Sequence, residues 1–125
     1  MTQGENVHNL LGVEIVEATP DRVVLTLPVG PKVHQPYGIL HGGVSALLAE
    51  GAASYGGALS VGPTHVVVGT EINCSHLRAL SSGTLTATAT RSTTRSAEAS
   101  TTSTPSKSCT FSRELKPSRL SMATF

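Results

Sequence analysis

A chain of 125 residues is the size of one domain, and a single core of that size commonly gains from association. A formal net charge of +1 carries no nucleic-acid signature, no apolar run approaches the roughly 18 residues of a membrane span, and the start Met1-Thr2-Gln3-Gly4-Glu5-Asn6 has neither region of a signal peptide. Cys74 and Cys109 have no metal-like spacing and form no CxxC pair, so a cytoplasmic protein with reduced thiols is expected.

In chain order, Leu10 to Glu17 is a mixed stretch with β-branched Val13, Ile15 and Val16, and Pro20-Asp21 marks a turn. Arg22 to Val29 reads as a strand, so the two stretches form a hairpin. Gly30 to Ile39 contains Pro31, Pro36 and Gly38 and reads as a loop. Val44, Leu47, Leu48, Ala52 and Tyr55 then recur at helical spacing, which predicts a helix over 42–59 that Gly62-Pro63 terminates. His65 to Asn73 and Gly83 to Thr90 read as strands.

Charge and composition change along the chain. Up to Leu77 only Arg22 and Lys32 face six acids; from Arg78 onward seven basic residues accompany only Glu98 and Glu114. That asymmetry suits either a polyanion such as a phosphate-bearing cofactor or a solvated basic tail. After Leu85 no Val, Ile, Leu, Met, Phe or Tyr appears until Phe111, and residues 91–110 hold twelve Ser and Thr. A strand there would have no apolar face to bury, so the composition reads as low-complexity, and the chain divides into 1–90 and an atypical 91–125.

The chemistry concentrates in Gly38-Ile39-Leu40-His41-Gly42-Gly43 and Glu50. A helix start presents backbone N–H groups and a partial positive charge, which suits a developing oxyanion. An acid two turns in, among Leu47, Leu48, Ala49, Ala52 and Ala53, lies on a helix that is apolar nearly all round, and burial of Glu50 is therefore expected. Ser54 lies one turn further on the same face. No HxxxH or HExxH spacing occurs, and no metal site is expected.

These residues, with Val68-Gly69-Thr70-Glu71-Ile72-Asn73-Cys74-Ser75-His76-Leu77-Arg78, resemble the hotdog-fold acyl-CoA thioesterases, in the subgroup of the 4-hydroxybenzoyl-CoA, phenylacetate-pathway and 1,4-dihydroxy-2-naphthoyl-CoA enzymes. The likeness covers roughly residues 8 to 90. It implies an α+β hotdog fold, a curved antiparallel sheet wrapped around one long central helix. It also implies a homodimer or homotetramer with sites at the subunit interface, an acyl-CoA substrate, no dissociable cofactor, and no nucleic-acid or membrane partner. It does not account for the tail; a shifted reading frame near residue 90 would produce such a change.

The resemblance implies that Glu50 is the catalytic carboxylate, attacking the thioester carbonyl or activating water. Gly42 would give its N–H to the thioester oxygen; Gly43 reads as more structural. His41 would orient the loop or hydrogen-bond the carbonyl, with helix capping as the plain alternative. Gln35 occupies the place of a polar side chain that faces the thioester or the water, and Ser54 would hold the water or the carboxylate. His76 matches a histidine that in the dihydroxynaphthoyl-type relatives enters the site from the partner subunit. Arg78 is either a partner of coenzyme A phosphates or a solvated strand-end residue. Ile39, Leu40, Tyr55 and Leu59 suit an apolar acyl pocket. Hydrolysis of an acyl- or aroyl-CoA thioester is thus expected. A hydratase of the same fold would need an acid near His41 that this chain lacks. A non-catalytic or poorly folded acyl-CoA-binding remnant is the alternative that the tail suggests.

Overall fold

Asn6 begins the described architecture. Its side chain accepts hydrogen bonds from the N–H groups of His8 and Asn9, which caps a short helix, α1 (Val7–Leu11). Gly12, at φ +77°, ends that helix in the left-handed conformation that glycine adopts without penalty. The Leu10 to Glu17 stretch, expected as a strand, therefore splits. Its first residues finish α1, and β1 runs only over Glu14–Ala18. The computed structural model describes residues 4–61, 63–69, 72, 74–91 and 97–104.

The hairpin forms where Pro20-Asp21 predicts it. Thr19 closes the turn twice, its N–H donating to the Arg22 carbonyl at 2.8 Å and its Oγ1 accepting from the Arg22 N–H at 3.0 Å. The second strand, β2 (Arg22–Val29), pairs antiparallel with β1 across a bulge between Ile15 and Glu17. Beyond a 3-10 turn at Pro31–Val33, α2 (Gly42–Val61) extends two residues past the expected end. Then β3 (Gly83–Arg91) pairs antiparallel with β2, and β4 (Ala97–Thr104) with β3, giving one sheet in the order β1-β2-β3-β4.

Two expectations change here. β4 lies inside the Ser/Thr-rich stretch that reads as low-complexity, in unbroken register with β3 from Thr84↔Thr104 to Arg91↔Ala97. Ladder hydrogen bonds are made by the backbone, and threonine favours the extended chain, so pairing does not require an apolar face on every strand. Conversely, the strand expected at His65 to Asn73 is not formed among its described residues. Thr70, Glu71 and Asn73 lie outside the described residues. The segment rides along α2 instead: Val67 lies against Gly57, Gly69 against Glu50, and His76 against Gly42. It travels antiparallel to the helix, away from the sheet ladder.

The core is the contact between α2 and one face of the sheet. Val23, Leu25, Leu27 and Val29 alternate inward on β2, and Leu85, Ala87 and Ala89 do so on β3. Val23 pairs with Ala89, Leu25 with Ala87 and Leu27 with Leu85, so large residues on one strand face small or matched ones on the next. The helix answers with Ser45, Leu48, Ala49 and Ala52, one stripe at helical spacing. Leu48 and Ala52 are fully buried. The alanines on both sides let the helix backbone approach the sheet closely.

Candidate functional site

His41 builds the start of α2. Its carbonyl accepts from the N–H groups of Val44 (3.0 Å) and Ser45 (3.4 Å), and its ring Nδ1 accepts from the Gly43 N–H at 3.0 Å. The side chain thus caps the helix. Because the backbone N–H is the donor, Nδ1 is the unprotonated nitrogen of the ring, and in the neutral imidazole the hydrogen sits on Nε2. The His41 N–H donates to the Val33 carbonyl at 2.9 Å, and the Leu40 N–H to the Leu80 carbonyl at 2.7 Å. His34 Nε2 lies 2.9 Å from the Ser81 carbonyl oxygen. Three contacts therefore tie the loop before the helix to the helix start and to the approach to β3.

The consequence falls on Gly42. Of the first-turn N–H groups, those of Gly43, Val44 and Ser45 are occupied by His41. Among the described residues no acceptor meets the Gly42 N–H, which is left as the outward donor of the helix terminus. A Cβ built on Gly42 would lie 2.8 Å from Nε2 of His76, so the His76 ring covers the same glycine. Within one chain, then, His76 and Gly42 are already neighbours. The Gly43 N–H, for its part, is taken up by the cap. Gln35 is half-buried in a turn in which its N–H donates to the Ile39 carbonyl (2.8 Å) and its own carbonyl accepts from the Gly38 N–H (3.0 Å). Gly38, at φ +75°, permits that turn. Arg78 is exposed two residues beyond His76.

Glu50 departs from expectation. It is exposed in the single chain. The buried stripe of α2 centres on Leu48, Ala49 and Ala52, and Glu50 points about 150° away from it at 100° per residue. An apolar composition all round the helix predicts burial on every side, but the sheet of one chain covers only one side. Its carboxylate instead meets the Gly69 backbone: a Cβ built there would be 2.7 Å from Oε1. Ser54, half-buried, shares that outer face one turn on. Eight residues separate Gly42 from Glu50, roughly 12 Å along the axis at 1.5 Å per residue. Two contacts escaped sequence reasoning. His8 of α1 lies against Gly51, where a Cβ would be 2.6 Å from its ring, and it stacks on Tyr55 with centroids 6.4 Å apart. Gly69 was the other; a glycine inside a strand-like run is itself a sign of close backbone approach.

Among the described residues no three His, Cys, Asp or Glu side chains gather as a metal site, and no helix is long and apolar enough to cross a membrane.

The sequence model of the Thioesterase superfamily matches residues 37–116, more than half the chain and the stretch holding His41, Gly42, Gly43, Glu50, Ser54, Gly69, His76 and Arg78. The chain belongs to the thioesterase superfamily. Within it, a 1,4-dihydroxy-2-naphthoyl-CoA hydrolase of Listeria monocytogenes is 52% identical over 79 residues, 63% of this chain and 64% of that protein. The chain thus spans less than two thirds of the length of the curated relatives it matches, down to 53%. A solved thioesterase from Haemophilus influenzae is 36% identical, covers 87% of this chain and 79% of its own, and superposes with a TM-score of 0.78. That likeness establishes the hotdog fold, an antiparallel sheet around the long helix α2. A Staphylococcus aureus thioesterase has been solved as two alanine variants, one at a glutamate and one at a glutamine fifteen positions before it. Those structures are 29% and 28% identical, cover 85% and 84% of this chain and 92% and 91% of their own, with TM-scores of 0.75 and 0.74.

Proposed function

We propose that this chain hydrolyses an acyl-CoA or aroyl-CoA thioester to the free acid and coenzyme A. The observation that carries the reading is the single open N–H of Gly42 at a helix start whose other donors His41 occupies. The thioester oxygen accepts from that N–H as charge develops on it. The Glu50 carboxylate either takes a proton from the attacking water or attacks the carbonyl itself. In both routes the C–S bond breaks, coenzyme A leaves as the thiol, and water supplies the new carboxyl oxygen. Gln35 and His41 orient the carbonyl or the water, Ser54 holds the water or the carboxylate, and the His76 ring lies beside Gly42, where it borders the bound substrate. Support comes from a spacing: Gln35 and Glu50 are fifteen residues apart, as are the glutamine and glutamate replaced in the Staphylococcus aureus thioesterase.

With the backbones of Gly42 and Glu50 roughly 12 Å apart along the helix axis, more than one glutamate side chain spans, the two groups of one chain do not meet at the same carbonyl carbon, which needs both within about 3–3.5 Å. Two copies do, with Gly42 from one chain and Glu50 from the other. Val66, Val68, Ile72 and Leu77, large apolar side chains exposed in the single chain, support that assembly. The exposed guanidinium of Arg78, near the same helix end, suits the phosphates of coenzyme A. Tyr55, Ile39 and Leu40, all half-buried, suit an aromatic or medium-length acyl group.

The test is thiol release from benzoyl-, phenylacetyl-, hydroxybenzoyl- and hexanoyl-CoA. Turnover by the parent and none by Glu50→Ala is expected. Mixing Glu50→Ala with Gly42→Pro, the first inactive alone and the second slowed about 10²–10³-fold, raises turnover above either variant if the two groups act across a subunit boundary. Full activity of Glu50→Ala would refute the assignment, and a folded but inactive parent would favour a non-catalytic acyl-CoA-binding remnant.

A further inference from the structure

Gly69 lies on the segment that runs along α2, and its backbone does not call for glycine. Among the described residues, positive φ occurs at Gly12, Gly38 and Gly83, not at Gly69. What calls for glycine is space. A Cβ built on Gly69 would stand 2.7 Å from Oε1 of Glu50, 3.5 Å from its Cδ and 3.6 Å from its Cγ. The first of these is well inside van der Waals contact, so any larger residue displaces the carboxylate from where it rests.

We infer that Gly69 is a positioning residue for the reaction: its bare backbone is the seat on which the Glu50 carboxylate lies. The inference rests on the proposed role of Glu50. A second glycine contact shows why this one is separable from folding. Gly57 likewise admits a neighbour, Val67, with a built Cβ 2.9 Å from Cγ1. Valine is β-branched and stiff, so a methyl group on Gly57 would force apart two packed elements. At Gly69 the neighbour is the far end of an exposed, flexible side chain. It swings aside at little cost to the fold, but a carboxylate that has swung aside is no longer aimed at its target. Misplacement of a reacting group by about 1 Å can cost about a hundredfold in rate.

The experiment compares the full-length parent, Gly69→Ala, Glu50→Ala, Glu50→Asp and the double variant Gly69→Ala/Glu50→Asp, by thioester turnover and thermal melting. Glu50→Ala is expected to be inactive. Gly69→Ala is expected to lose about a hundredfold in kcat with KM near that of the parent and a melting temperature within about 3 °C of it. Aspartate is one methylene shorter and clears the new methyl group. In the Glu50→Asp background Gly69→Ala is therefore expected to change kcat by less than about threefold, a non-additivity that marks direct coupling. Parent-like kcat in Gly69→Ala beside an inactive Glu50→Ala would overturn the positioning role and leave the catalytic one standing. Activity in Glu50→Ala would remove both. If Gly69→Ala loses its fold, recovery in the Glu50→Asp background locates the clash at the carboxylate and supports the inference; no recovery overturns it.

Discussion

Replacing Gly42 with proline tests the helix start most directly. Proline is tolerated at the first helical position because that residue's N–H has no intrahelical partner, and its φ suits the turn. Here the substitution removes a donor that no described acceptor uses, while the bonds from Gly43, Val44 and Ser45 to His41 stay in place. The added Cβ meets the imidazole of His76, the end of an exposed side chain that can rotate away. The fold is therefore expected to change little. The chemistry should change greatly, since one oxyanion donor contributes about 3 kcal/mol, or 10²–10³ in kcat. Gly42→Ala is the matched control: it keeps the N–H and adds the same first carbon against His76. Stopped thiol-release assays on both variants, with melting curves, separate the two effects. A loss confined to proline supports the donor role. Equal losses in both would show that steric displacement of His76, not the missing N–H, is responsible. A folded Gly42→Pro variant with parent-like kcat would refute the reasoning.

Four further outcomes are expected. Leu48→Ala removes a fully buried side chain between α2 and the sheet and should cost about 2–5 kcal/mol, read as a lowered denaturant midpoint. Gly12→Ala, at φ +77°, should cost about 1–2 kcal/mol by placing a Cβ in the left-handed region, whereas alanine at exposed Glu50 should leave stability within about 0.5 kcal/mol. His41→Ala removes the side-chain cap of α2 and should cost about 1 kcal/mol, a drop of several degrees in melting temperature. Burial pushes the Cys74 thiol above its ordinary value, so the folded chain holds a proton that the unfolded chain releases. The resulting stabilisation is complete below the unfolded thiol's value and is lost as pH rises through the folded one. The melting-temperature difference between parent and Cys74→Ala should shift against the parent across that alkaline window.

The parts of the fold legible in the sequence are those whose signals are local. Pro20-Asp21 marks the hairpin, the alternation Val23, Leu25, Leu27, Val29 marks β2, and the helical spacing from Val44 to Tyr55 marks α2, which runs on to Val61. What escaped depends on partners distant in sequence. α1 is five residues long, too short for periodicity, and only the Asn6 cap and Gly12 announce it. Val66 to Val68 has the composition of a strand, but whether a strand forms depends on a neighbouring edge that composition does not specify. β4 is the reverse case: its backbone pairs with β3 although its residues are those of a low-complexity segment. In the site, the residue types and spacing of His41, Gly42 and Glu50 were readable, but their division of labour was not. That His41 takes the Gly43 N–H and so reserves Gly42, and that Glu50 faces away from the sheet, follow from hydrogen bonds and from which side of α2 is covered.

Gly51, Gly56 and Gly57 stand inside α2, and each glycine in a helix interior costs about 1 kcal/mol relative to alanine. In exchange, the ring of His8 and the side chain of Val67 rest directly on the helix backbone, and Val23 lies close beside it. The segment is therefore a poor helix by itself and a good one only when its neighbours are present. The helical state of α2 depends on the sheet and on the segments that pack against it. The spacing of the groups aligned along it, Gly42 at its start and Glu50 on its outer side, is thus held by tertiary packing rather than by the helix alone.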